Sequence, residues 1–200
     1  MLCLCRRAFR GLWARFSGGI LERITLIDQR VLLFLQRHRH PFVNRVLLLF
    51  TYSGTGLAWL GIAFALQALN FLGYRFLPEQ RLFLLALFSP LAAWCCGYVL
   101  KKIFARARPS CEITGFEAFM RPPSCPSFPS SHTASSFAFF TALALLGHPL
   151  APLVGVWAFI VSFSRLYLGV HYLSDVLGGL LVGVGAAFLV TGLLQWQGWL

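Results

Sequence analysis

The stretch SRLYLGVHYLSD, Ser164 to Asp175, sets Arg165, His171 and Asp175 inside a run of otherwise apolar residues. An unused charge in a membrane helix costs roughly 2.5 to 3.5 kcal/mol on an insertion scale, so ionisable groups kept there have a task. Two further polar clusters interrupt the chain in the same way: KKIFARARP, Lys101 to Pro109, and FPSSHT, Phe128 to Thr133. What lies between them is mostly hydrocarbon. Of 200 residues, 58% are hydrophobic and 12% charged, about half the ~25% charged of a soluble domain. The composition implies an all-α integral membrane helical bundle forming a single domain over 1–200.

A net charge of +11 raises the question of nucleic acid. Long uncharged runs separate the basic residues, so no continuous basic face exists for a duplex or single strand, and nucleic acid is excluded as a partner. The lipid bilayer, its headgroups and an anionic membrane lipid substrate fit the charge better.

Residues 1–45 carry nine arginines spaced among Phe, Leu, Trp and Ile. Ile20 to Gln36, with Glu22, Arg23, Asp28 and Arg30, reads as an amphipathic interfacial helix, so 1–45 is taken as a basic anchor. Arg6 and Arg7, with no uninterrupted apolar core before a small-residue site, argue against a cleaved signal peptide. The bundle proper occupies 46–200. Val46 to Tyr74 holds no charge and supplies a short helix, a break at Ser53 to Gly56 and a span. Further spans are expected at about Leu82 to Leu100, Thr133 to Gly147, Leu150 to Arg165, and from His171 onward, giving about five to six transmembrane helices. Gly179 and Gly183 have the spacing that permits close helix contact. With that topology the three clusters, at 101–109, 128–133 and 164–175, fall on one side of the membrane.

The six cysteines show no CxxC spacing. Cys95 and Cys96 sit mid-span as small apolar fillers, and Cys111 and Cys125 share a loop where they pair only if it faces an oxidising compartment.

Each cluster has its own chemistry. His171 and Asp175 are four apart, so on a helix beginning near His171 the carboxylate accepts from one imidazole nitrogen and leaves the other as a free lone pair, suited to a nucleophile, a general base or a metal ligand. A capping role for both residues competes with that reading. Lys101 and Arg108, seven apart, lie about two turns apart on one face and can grip one anion; lysine and arginine snorkelling at a span end is the plainer alternative. Ser130, Ser131 and His132 stand ahead of a helix, where backbone amides and hydroxyls cradle phosphate and His132 can donate a proton. Together with Arg165 these groups describe a pocket for a tetrahedral anion. One carboxylate is too few for magnesium or calcium, and two histidines without cysteine make a poor zinc site. The expectation is phosphoryl transfer without a metal or other cofactor.

At these residues the sequence resembles the type 2 phosphatidic acid phosphatase superfamily, which includes vanadium-dependent haloperoxidases. The family pattern runs Lys, six residues, Arg-Pro; then Pro-Ser-Gly-His; then Ser-Arg, five residues, His, three residues, Asp. It is matched here by Lys101, Arg108 and Pro109; by Pro129, Ser130, Ser131 and His132; and by Ser164, Arg165, His171 and Asp175. Ser131 stands where the family has glycine. The resemblance implies that His171 attacks phosphorus to form a phosphohistidine, assisted by Asp175, while His132 protonates the leaving oxygen and then activates water. Lys101, Arg108, Ser130, Ser131 and Arg165 hold the phosphoryl oxygens. It also implies a lipid phosphate or diphosphate as substrate: undecaprenyl diphosphate, phosphatidylglycerol phosphate, phosphatidic acid or lipid A. Two alternatives are a lipid phosphotransferase and a non-enzymatic headgroup binder. The positive-inside rule places the site in the cytoplasm. Several of those charges serve the substrate, however, and bacterial relatives of this size face outward, so the expected setting is the bacterial inner membrane with a periplasmic site.

Overall fold

A computed structural model of the chain describes residues 19–73 and 80–200. Cys3, Cys5, Arg6, Arg7 and the rest of the anchor up to residue 18 lie outside the described residues, as does Tyr74. Helix is the only regular structure among the described residues.

Helix α1, Ile20–Arg37, carries Glu22 in its first turn and Arg37 in its last, both matched to the helix dipole. One face leaves Ile20, Ile27 and Phe34 exposed, as an interfacial helix should, while the opposite edge buries Asp28 and Leu32. The helix is therefore more than an anchor. It packs on two later helices, α7 (Ala151–Tyr167) and α8 (Leu173–Trp196), and delivers a carboxylate to the interior.

Helices α2, Pro41–Ser53, and α3, Gly56–Phe71, follow. Pro41 sits in the first turn, where its missing N–H costs nothing, and the His40 side chain caps the helix by accepting from Phe42 N at 3.3 Å. The pair bends by 63° at the Gly54 break. A Cβ on Gly54 would collide with Val161 and touch His132, so the break is pressed against α7 and the site.

Helix α4, Gln80–Phe104, contains Pro90, and the Pro90 carbonyl accepts from Ser135 Oγ at 3.2 Å. After the single turn α5, Pro109–Glu112, and a long irregular loop, helix α6, Ser131–Leu145, occupies the centre with α4, α7 and α8 around it. Trp59 sets its edge against Phe139 and Trp157 at 5.0 and 5.2 Å in the apolar half of the bundle. By length and composition Arg81–Glu112 and Leu173–Trp196 are long and apolar enough to cross a membrane, and the bent pair adds a third. The two other expected spans are present as shorter helices of 15 and 17 residues, about 22 and 26 Å long at 1.5 Å per residue.

The close α6–α8 contact follows from Gly179 and Gly183. A Cβ at either would meet a backbone oxygen of α6's first turns, at Ser130 and Ala134 respectively. Removing side chains there lets the helix axes approach and brings the polar ends of α4, α6, α7 and α8 together. Gly183→Leu is expected to lower the thermal midpoint in detergent, the overpacking costing about 1–3 kcal/mol or more. Gly185→Leu, on a face with nothing within 4 Å, leaves the midpoint near wild type.

Candidate active site

The four cations of the 101–108 segment have different partners. Lys101 Nζ donates to the carbonyls of Pro126, Ser127 and Pro129 at 3.1, 3.2 and 2.5 Å. Lys102 turns outward over the Tyr98 ring, 5.3 Å from its centroid. Arg108 Nε donates to the Cys125 carbonyl at 3.0 Å, and Nη1 to the Val170 carbonyl at 2.7 Å. Among the described residues Arg106 is the one of the four that goes to carboxylates, with Nη2 2.7 Å from Asp28 Oδ2 and Nη1 2.7 Å from Asp175 Oδ1. The chain leaves α4 through Ala105 at φ 45°, a left-handed conformation unusual for a residue with a Cβ. The Phe128–Pro129 bond ahead of α6 is cis.

His171 lies just outside the helix on which the spacing argument placed it. Helix α8 begins at Leu173, with Tyr172 as N-cap and Asp175 in the first turn. Asp175 Oδ2 accepts from Tyr172 N at 2.9 Å and lies 3.4 Å from His171 Nδ1. The expected pair is thus made across a helix N-terminus instead of along a helix face, and the capping and orienting roles of Asp175 coexist. The other ring nitrogen, Nε2, lies 3.4 Å from Arg108 Nη1 and faces the cations. His171 is 2% exposed. Burial, with Arg108, Arg165 and Lys101 around it, pushes its pKa well below the ordinary imidazole value, so the ring is neutral near pH 7.

Arg165, near the end of α7, is 1% exposed; its Nη1 lies 3.9 Å from Met120 Sδ, and its Nε has no partner among the described residues. His132, in the first turn of α6, is within electrostatic reach of Arg165, His171, Lys101 and Arg108. Ser130 caps α6 in extended backbone; its N donates to the Asp175 carbonyl at 2.9 Å and its Oγ accepts from Thr133 Oγ1 at 3.1 Å. Ser131 leans toward α4, its Oγ 3.9 Å from where a Cβ on Gly97 would stand. The hydroxymethyl group at the family's glycine position is thus lodged between helices.

All eight residues singled out from the sequence converge on one end of the bundle. Lys101, Arg108 and Arg165 are 7%, 4% and 1% exposed, and among the described residues none of them makes an ion pair with a carboxylate. Three buried cations satisfied by carbonyls or left open make a strongly anion-seeking pocket. Asp28, Arg106, Ser174 and Glu112 also belong to this end of the bundle and carry no spacing signal in the sequence. Asp28 lay in the assumed anchor, while Arg106 was noted in the basic cluster without being separated from its neighbours. Glu112 accepts from the Tyr172 hydroxyl at 2.9 Å. The loop pairing of Cys111 with Cys125 is not made: Cys125 is free and exposed, lying 3.4 Å from Arg108 Nη2, whereas Cys111 is disulfide-bonded.

A family model described as the PAP2 superfamily matches residues 82–199. Phosphatidylglycerophosphatase B of Bacillus subtilis is 32% identical over 165 residues, 77% of this chain and 76% of that protein. YbjG of Escherichia coli, whose name assigns it undecaprenyl-diphosphatase activity provisionally, is 38% identical over 98 residues; the match covers 48% of this chain and about half, 46%, of that relative. The crystal structure of a transmembrane PAP2 type phosphatidylglycerolphosphate phosphatase from Bacillus subtilis superposes with a TM-score of 0.73 at 26% identity, covering 92% of this chain and 90% of that one.

Because His171 is held neutral when folded but protonates near pH 6.5 when unfolded, it contributes stability that is present above that pH and lost as pH falls below it. The thermal midpoint in detergent is expected to fall on acidification from pH 7 to 5, and His171→Gln to fall less over the same range.

Proposed function

The chain belongs to the PAP2 superfamily, and from that membership we propose that it is a membrane lipid phosphatase removing a phosphate from a lipid phosphate or diphosphate without a metal. The observation that carries the reading is the placement of His171, its Nδ1 directed to Asp175 and its Nε2 beside Arg108 in a pocket whose cations pair with no carboxylate among the described residues. A tetrahedral dianion drawn to Lys101, Arg108 and Arg165 is brought against Nε2. Ser130 and the first amides of α6, that of Ser131 among them, complete the cradle.

The steps follow from that placement. The Nε2 lone pair of His171 attacks phosphorus as the bond to the lipid oxygen, or to the bridging oxygen of a diphosphate, breaks. Asp175 accepts the Nδ1–H and steadies the imidazolium that forms. His132 gives its proton to the leaving oxygen, then takes one from the water that attacks the phosphohistidine and releases inorganic phosphate. Charge building on the equatorial oxygens is met by donors already fixed by carbonyls and helix ends, so little reorganisation is needed. A lipid is the fitting substrate because the pocket lies at the polar end of a bundle whose flanks expose Leu57, Phe64, Trp94 and Leu181 to hydrocarbon. Undecaprenyl diphosphate, phosphatidylglycerol phosphate, phosphatidic acid and lipid A all present such a headgroup on such an anchor.

We infer further that the site faces the periplasm from the bacterial inner membrane. This rests on the likeness to outward-facing bacterial relatives, several of the basic residues at that end being taken up by the substrate site.

Purified protein in detergent with EDTA is expected to release phosphate from at least one of the four lipids. His171→Ala reduces release to background with lipid binding retained, and His132→Ala costs about 10²–10⁴-fold. A requirement for added divalent metal, or activity surviving His171→Ala, contradicts the reading. In intact cells a membrane-impermeant maleimide is expected to label Cys125 but not a Cys125→Ser variant; labelling only after the membrane is permeabilised places the site inside.

A further inference from the structure

The chemistry above leaves two buried charges without a task, Asp28 and Arg106, each 1% exposed. Asp28 stands on α1, outside the residues 82–199 that match the family. As mere structural glue an ion pair in a dry interior is a poor choice, since packed apolar groups of equal volume often serve as well. The arrangement of this pair is directional. Asp28 Oδ1 accepts from Ser174 N at 2.9 Å, and Oδ2 accepts from Ser174 Oγ and, at 2.7 Å, from Arg106 Nη2. Arg106 Nη1 donates onward at 2.7 Å to Ser174 Oγ and at 2.7 Å to Asp175 Oδ1. The guanidinium carbon lies 3.8 Å from the centroid of the Tyr172 ring, which holds the fork from its face. Asp175 Oδ2 is then left for Tyr172 N and His171 Nδ1. Contacts run without a gap from Asp28 through Arg106 and Asp175 to His171.

We propose that Asp28 is a positioning residue for phosphoryl transfer: acting through Arg106, it fixes and tunes the Asp175 carboxylate that orients His171, so that the N-terminal helix completes the catalytic apparatus. The inference rests on His171 being the nucleophile. Two physical effects carry it. A planar guanidinium shared between two carboxylates cannot rotate without breaking one contact, so Asp28 locks the donor that locks Asp175 Oδ1. Asp28 also takes up part of the Arg106 charge. Without it that cation bears more fully on Asp175, and the negative potential reaching His171 weakens. The groups facing His171 are Lys101 from α4, Arg108 from the segment after it, His132 from α6, Arg165 from α7 and Asp175 from α8. Asp175 is the anion among them, and Asp28, faced by Arg106 and Ser174, acts on His171 through it.

The test compares the full-length wild type with Asp28→Asn, Asp28→Glu, Asp175→Asn and the double variant Asp28→Asn/Asp175→Asn, measuring phosphate release from the preferred lipid across pH. Asp28→Asn is expected to lower kcat by about 10–100-fold, as loss of an outer-shell partner does, with KM within about twofold. The acid limb of its kcat/KM profile moves to lower pH, since less negative potential favours the neutral imidazole. Asp28→Glu, which keeps the charge, keeps the limb where it is. In the Asp175→Asn background Asp28→Asn has no further effect, because the route to His171 is already cut. If Asn at 28 does not fold, Asp28→Ser gives the same readout, leaving a hydroxyl for Arg106. Wild-type kcat in Asp28→Asn, an unmoved acid limb, or an undiminished loss in the Asp175→Asn background overturns the proposal while leaving the phosphatase reading intact. A wild type that releases no phosphate from any lipid overturns both.

Discussion

Three buried cations that pair with no carboxylate among the described residues govern this structure. Lys101, Arg108 and Arg165 stand at the end of an apolar bundle, and the two buried carboxylates among the described residues, Asp28 and Asp175, are both committed to Arg106. Were either acid free to pair with Arg108 or Arg165, the excess positive charge of the pocket would be cancelled. Arg106 therefore has a separating function, keeping negative charge on one side of His171 and positive charge on the other. The imidazole lies at that boundary, with Nδ1 toward the acid and Nε2 toward the cations.

Keeping these cations dry requires acceptors, and the backbone supplies them. The carbonyls of Pro126, Ser127 and Pro129 hold Lys101, and those of Cys125 and Val170 hold Arg108. These carbonyls come from irregular segments, where they are not consumed by helix hydrogen bonds, which explains why the site is built from a loop and the ends of helices. The glycines of α8 serve the same end by letting α6 approach until Ser130 N reaches the Asp175 carbonyl at 2.9 Å. Packing and chemistry are thus joined at one turn of helix.

Much of this was legible in the sequence because charge is so rare in it. Against a hydrocarbon background Arg165, His171 and Asp175 announce themselves, and the spacing of Lys101 to Arg108 and the Ser130 to His132 run supplied the rest of the pocket. What the spacing misjudged was local: His171 and Asp175 meet across a helix N-cap, and Ser131 turns its hydroxymethyl group toward α4. Asp28 was beyond reach for a physical reason. On an amphipathic helix one acid among several charges looks like part of a solvated face, and only the fold reveals that it points inward to an arginine nearly eighty positions away. Arg106 was hidden by its neighbours, since four cations in eight residues cannot be sorted into pocket-facing, acid-facing and outward-facing without the turn at Ala105.

The central claim is that a tetrahedral anion completes the cationic pocket with its central atom against His171. A structure determined with orthovanadate bound tests this most directly. The account requires vanadium within bonding distance of His171 Nε2, its oxygens on Lys101, Arg108 and Arg165, and Arg106 still joined to both carboxylates. Vanadate bound away from His171, or held by Arg106 with Asp175 displaced, would contradict it.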